Sequence, residues 1–381
     1  MRDEIITKRE EPVMKIIKMH TTLLSIPMGQ RMFFGSTRPR VNPVIVQLTT
    51  DEGLEGFGLA YAFNDTQVNS LKACIDDLEE VVIGQDISRW AATWNDLHTA
   101  LKHAGQWGGY GINAIAAIDI AFWDLRAKAL KLPLARLLGG FRDKVPAYAS
   151  NWLWGFLSID ELQKEAAWLV EEGHRAMKMK MGGKTHKENV ERFKAVREAV
   201  GDDVDIMVEG HWSWTVPEAI RIARALEPFN PYWLEDPLGL QNGDICLEDT
   251  AALAQIAAAV DVPIAAGETF STKYGFRRIV EDKAVDIVII DVLRAGGITE
   301  WMKIAAFIEA YNLPVVSHCL HDISVHMMAG ITNGLIVEYM PWWDIIYKEP
   351  PRVIDGYFEI SDKPGIGLEL DPEVINKYKI A

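Results

Sequence analysis

Cysteine is scarce in this chain, with only Cys74, Cys246 and Cys319 among 381 residues. An odd, scattered set supplies no disulfide framework and points to reduced thiols in a cytoplasmic setting. Positive charge is also short. With 39 Lys and Arg against 54 Asp and Glu, the formal net charge is -15, which argues against nucleic acid as the main partner, since phosphate binding needs a basic face. Long apolar runs are missing too: the stretch from Ile112 to Trp123 is shorter than a membrane span and carries Asp119, so no membrane partner is expected. The opening MRDEIITKREEP has mixed charge where a secretory leader needs an apolar core, and residues 1 to 13 read as an extension. What is abundant is hydrophobic residue, 49 %, beside 24 % charged. That suffices for two domains, or for one large barrel with an accessory domain. An acidic protein that binds an anion needs locally placed cations or a metal.

Along the chain, residues 14 to 24, 44 to 50 and 54 to 61 read as strands of an antiparallel meander. Helical periodicity follows over 66 to 82, 88 to 102 and 111 to 130, which together describe an α+β domain over 14 to 145. From Pro146 the pattern changes to short apolar strands at 147–154, 176–182, 205–211, 232–237, 263–268, 286–292, 314–319 and 335–340, with seven helical segments between them. Eight parallel strands with intervening helices specify a TIM-like (β/α) barrel over 146 to 345. Residues 346 to 381 are interrupted by proline and lack the eighth helix, so this tail is expected to return to the first domain.

The stretch AMKMKMG, 176 to 182, puts Lys178 and Lys180 two apart, and in a strand that spacing sends both amines to one face. Two close, buried amines disfavour each other's protonation, which is one way to make a general base near neutral pH; taken alone, the pair reads as two solvated lysines on an edge strand. The strand ends downstream alter that balance. Strand three ends in Glu209 and His211, strand four in Glu235, strand five in Glu268, strand six in Asp291, strand seven in His318 and strand eight in Glu338. From Glu209 to His318 the steps are 23 to 33 residues, each about one βα unit. In a parallel barrel those ends form the active site. Glu209, Glu235 and Glu268 converge there, and like charges that close require a counter-ion: an all-oxygen set suits Mg²⁺, with Mn²⁺ next. Asp236 has the opposite parity to Glu235 and is expected to point away. Asp291 and His318, on adjacent strands, form a carboxylate-oriented imidazole, a second acid/base.

With these residues in order, together with WLEDP, GGIT after Asp291, SH at 317 to 318 and VEY at 337 to 339, the chain from about Met14 resembles the mandelate racemase subgroup of the enolase superfamily. The resemblance implies a capping α+β domain on a (β/α)₇β barrel. It further implies Mg²⁺-assisted removal of a proton α to a carboxylate through a metal-bound enediolate, in a homo-oligomer. Lys180 is then one base, Lys178 its neighbour and a carboxylate contact, His318 with Asp291 the other acid/base, and Glu338 a partner of the substrate carboxylate. Two positions depart from the pattern. Glu209 stands where Asp is usual, and His211 where Asn is usual. In the related mannonate dehydratases a histidine at that place is catalytic, so His211 is either an auxiliary acid or a ligand orienter.

The sugar-acid branch is the better match, so the expected activity is a hydro-lyase that turns a small acid-sugar carboxylate into a 2-keto-3-deoxy acid. A racemase or epimerase is the alternative. A non-catalytic metal-binding homologue is weaker, as is a cycloisomerase of the muconate type, since Asp291 stands where that type has lysine. Specificity is expected in loops 25 to 38 and 61 to 65, with Arg31, Arg38 and Tyr61 as substrate contacts and Met28, Met32, Phe33 and Phe34 as a partly apolar lid.

Overall fold

A computed structural model of the chain describes residues 13–28, 40–63, 67–106, 108–181, 185–241, 244–245 and 247–380. Three cap strands, Ile16–Leu23, Arg40–Thr50 and Glu55–Ala62, pair antiparallel. Their inner faces pack on the helix Tyr110–Ala129, which is buried on nearly every side because it lies between cap sheet and barrel. The approach of sheet and helix is set by small residues: a Cβ on Gly58 would stand 2.0 Å from the Ala117 carbonyl oxygen. The helical stretch expected over 66 to 82 is two helices, Gln67–Asp76 and Glu79–Val82.

Eight parallel strands close the barrel: Lys144–Ala149, Ala176–Lys180, Asp205–Glu209, Leu234–Glu235, Ile264–Ala266, Ile287–Asp291, Val315–His318 and Gly334–Tyr339, the last pairing with the first. Three of the intervening helices, Ile159–Glu171, His186–Val200 and Val216–Leu226, open with a Ser or Thr and a Glu three residues on, each exchanging side-chain and backbone bonds as a capping box. These caps hold the chain just after the strand ends, where the ionisable residues sit. The first strand stops at Ala149, short of the expected Trp154. Leu153 turns left-handed at φ 54, and the apolar run continues because Trp152 and Trp154 are buried beside the barrel mouth rather than in its wall.

The first strand also gains an antiparallel partner from the tail, Tyr357–Glu359. Beyond it, the Ser25 N–H donates to Tyr378 O and the Ile380 N–H to Leu23 O, so the tail binds the cap. Cap and barrel meet along the long helix, where Asp119 accepts from the Thr299 backbone N–H at 2.8 Å and from its hydroxyl at 2.5 Å. That close approach requires Gly297, at φ 97, since a Cβ there would lie 2.5 Å from the Asp119 carboxylate. No helix among the described residues is long and apolar enough to cross a membrane.

Candidate active site

Barrel register sets the site. Lys180 pairs with Glu209, Glu209 with Glu235, and Asp291 with His318, so the strand ends stand side by side at one level. Lys178, Lys180, Glu209, Glu235, Glu268, Asp291 and Glu338 are all buried. A pocket opens over them, lined by the polar residues Lys178, Lys180, Glu209, His211, Glu268, Arg294, His318, Cys319 and Glu338 and by Phe63, Trp212, Met340 and Trp342.

The two lysines differ. Lys178 Nζ lies 2.5 Å from Glu235 Oε1, 2.8 Å from Glu338 Oε1 and 3.3 Å from Glu209 Oε2. Burial alone would lower its basicity, as the spacing suggested. Glu209, Glu235 and Glu338 outweigh burial and hold the ammonium well above the usual lysine range. The expectation that both amines are weakened is therefore corrected for Lys178. Lys180 Nζ is held differently: it donates to Ser150 O at 2.6 Å and to Ser150 Oγ at 3.2 Å, lies 3.5 Å from Glu209 Oε2, and sits 4.6 Å over the Trp154 ring.

Among the carboxylates, burial pushes Glu235 up to about 7; Lys178 opposes that, and Glu209, Glu338 and Glu268 add to it. Glu268 is held well below the ordinary range despite burial, because His318 Nε2 is 2.9 Å from one oxygen and Arg294 Nη1 2.9 Å from the other. Glu209 Oε2 is buried and makes no hydrogen bond, its contacts being the ion pairs to Lys178 and Lys180, while Oε1 lies 2.8 Å from His211 Nδ1. Asp236, expected to point away from the site, is buried close to its acids. Strand alternation ends at Glu235, Asp236 takes φ 39, and its buried carboxyl is raised well above the usual value by burial and then by Glu268, Glu235 and Glu209. Three buried acids on consecutive strand ends, with a fourth acid nearby, fit a hard divalent cation with oxygen ligands.

His318 Nδ1 lies 2.5 Å from Asp291 Oδ2. Asp291 cannot swing away, since its Oδ1 accepts from the Arg294 N–H at 2.8 Å and caps the short helix Val292–Ala295. Burial disfavours the imidazolium, but the Cys319 sulfur, Glu268, Glu338 and the Asp291 bond outweigh it and hold His318 well above its ordinary value. Glu338 Oε1 accepts from Ser150 Oγ and Oε2 from the Cys319 N–H, both at 2.7 Å. Lys178 and His318 outweigh its burial and keep it at about 2.

Ser150 and Arg294 are site residues that the sequence reading missed. Each directly follows a strand-end position, Ala149 or Asp291 by a few residues, and that placement is the signal that was available. Tyr61 is buried in an aromatic cluster, 5.2 Å from Phe63, 5.0 Å from Trp343 and 5.9 Å from Trp342 between ring centres. Its neighbour Phe63 reaches the pocket. Arg31, Arg38, Met32, Phe33 and Phe34 lie outside the described residues.

An eight-stranded barrel under an α+β cap, with acids on strands three to five flanked by a lysine strand and a histidine–aspartate pair, defines a class of cation-assisted carbon-acid enzymes. The "Mandelate racemase / muconate lactonizing enzyme, N-terminal domain" family matches residues 20–139, and the "Enolase C-terminal domain-like" family residues 161–374. The chain belongs to the enolase superfamily, in its mandelate racemase subgroup. It is 32% identical to a 3,6-anhydro-alpha-L-galactonate cycloisomerase of Streptomyces coelicolor, over 96% of this chain and 99% of that one. It is 31% identical to an L-talarate/galactarate dehydratase of Salmonella typhimurium, over 92% and 86%. An L-talarate dehydratase from Polaromonas sp. JS666, solved with Mg and L-glucarate, superposes with a TM-score of 0.87 at 29% identity, over 97% of this chain and 98% of that one.

Proposed function

We propose that this protein is a Mg²⁺-dependent acid-sugar dehydratase that removes the proton α to a carboxylate and expels the β-hydroxyl as water. The observation that carries the reading is His318, held as an acid by Asp291 and Glu268, sharing one pocket with Lys180. A dehydratase needs both a base for the α-proton and an acid for the leaving oxygen. Relatives of both names, dehydratase and cycloisomerase, share the scaffold.

Glu209, Glu235 and Glu268 would hold Mg²⁺, which when bound would supply positive charge to offset the negative charge growing on the substrate carboxylate. Lys178, fixed as an ammonium, adds to that stabilisation from the same side. Lys180 takes the α-proton while Ser150 fixes its position. His318 passes its Nε2 proton to the β-hydroxyl, the C–O bond breaks, and water leaves. The resulting enol takes a proton at carbon and becomes the 2-keto-3-deoxy acid. His211, bonded to Glu209, orients that ligand.

A cycloisomerase is the second reading, favoured by the Streptomyces relative; there His318 would protonate a ring oxygen instead. A screen of aldonates, aldarates and anhydro-sugar acids with Mg²⁺ in deuterated solvent separates these. A 2-keto-3-deoxy product supports dehydration. An isomer of unchanged mass apart from deuterium supports cycloisomerisation, and α-deuterium exchange with no other product supports racemisation. No turnover across the library would overturn the dehydratase reading.

A further inference from the structure

The mouth of the barrel holds a second set of ligand atoms that differs in kind from the acids. His318 Nε2 lies 3.4 Å from Cys319 Sγ and 4.0 Å from Glu338 Oε2. One nitrogen, one sulfur and one oxygen from His318, Cys319 and Glu338 all fall within 4.8 Å of one another. Zinc bonds of about 2.0 to 2.3 Å place tetrahedral ligands roughly 3.3 to 3.7 Å apart, so these atoms stand within a small side-chain rotation of a coordination sphere. All three residues line the pocket, so a cation arriving from solvent reaches them.

The surroundings favour this set. Asp291 holds His318 at Nδ1, the carboxylate–histidine pairing that accompanies zinc, so Nε2 is the ligand atom and a metal there replaces its 2.9 Å contact with Glu268 Oε2. Cys319 takes a left-handed turn at φ 48 directly after strand seven. That turn aims its N–H at Glu338 Oε2 and its sulfur at His318. The reaction proposed above uses His318 but has no task for the thiol.

We propose that His318, Cys319 and Glu338 form a second metal site, selective for a borderline or soft divalent cation such as zinc or cobalt over magnesium. Thiolate and imidazole are the softer donors and the neighbouring all-oxygen set is the harder, so the two sites sort cations by type. The thiol and Nε2 protons leave to solvent as the metal binds. Occupation takes the Nε2 position of His318 and switches the enzyme off. The metal site stands independently of the reaction assigned to the pocket; only the switch rests on it.

The test is a Co²⁺ titration of the Mg²⁺-saturated protein followed by absorption. The expected result is a sulfur-to-cobalt charge-transfer band in the near ultraviolet with tetrahedral visible bands, erased by Zn²⁺, insensitive to excess Mg²⁺ and absent from C319S. Absence of the band in the native protein overturns the site. So does a band that persists in C319S, since it then comes from another cysteine. If C319S melts early, C319A with native circular dichroism takes its place, judged by the same two outcomes.

Discussion

Two regions of this molecule bury carboxylates, and they treat them in opposite ways. Along the seam between cap, barrel and tail, each acid is met by fixed donors. Asp119 accepts two bonds from Thr299. Asp124 accepts from the Phe57 and Ile366 backbone N–H groups and from Lys128 Nζ, at 3.0, 2.9 and 2.7 Å. Asp322 is met by the Trp343 indole and the Tyr347 hydroxyl. At the barrel mouth the acids face one another and share their donors: Lys178 Nζ lies within 3.3 Å of Glu209, Glu235 and Glu338, and His318 lies between Glu268 and Asp291. The seam acids join elements. The mouth acids are crowded in a way that a cation relieves, and such crowding belongs to sites that act.

The largest effect expected from breaking the contrast is on turnover. Lys180→Ala and His318→Asn should each lower kcat by roughly 10³-fold or more with the melting temperature close to native, as loss of a general base or acid does. Full activity in either variant would remove that residue from the chemistry.

The next effect separates the regions by stability. Asp124→Ala strands two buried backbone N–H groups and should cost about 3 kcal/mol, read from the urea midpoint. Glu235→Gln, at the mouth, should change the metal-free midpoint by about 1 kcal/mol or less, because Lys178 keeps Glu338 and Glu209 as partners. Equal losses in the two variants would erase the distinction.

A smaller effect belongs to pH. His326 Nε2 donates to Ile366 O in the same seam, and burial lowers this ring to about 4, only partly offset by that bond. Between pH 6.5 and 4 the unfolded chain takes up a proton that the folded ring refuses, so stability falls as pH falls through that window. At pH 5 the loss is about 2 kcal/mol for this ring. His326→Gln, which keeps the donor without the titration, should lose correspondingly less between pH 7 and pH 5.

The barrel and most of the mouth were legible because a parallel barrel puts one chemistry-bearing residue at each strand end, and a spacing near one βα unit exposes that regularity. Side-chain environment was less legible. Lys178 looked like a weakened amine until three carboxylates came from strands three, four and eight to hold it charged. Asp236 escaped the parity rule because alternation holds only while the strand continues, and its backbone turns left-handed after Glu235. Ser150 and Arg294 are marked only by following a strand end; what gives them a role is the pairing of Lys180 with a carbonyl on strand one's exit and of Glu268 with Arg294 in the short helix after strand six. The seam is opaque for a similar reason, since Asp119 and Asp124 meet partners about 180 and 242 residues away.

The claim that the mouth acids are arranged for a hard cation is tested most directly by the melting temperature against Mg²⁺ concentration, in native protein and in Glu209→Gln and Glu268→Gln. Mg²⁺ should raise the native melting temperature, with about 2.7 kcal/mol of stabilisation at a hundredfold excess over Kd, and should do so far less in both variants while Asp124→Ala keeps the full increment. A native melting temperature that does not move with Mg²⁺, or one that moves equally in all four proteins, would contradict the account.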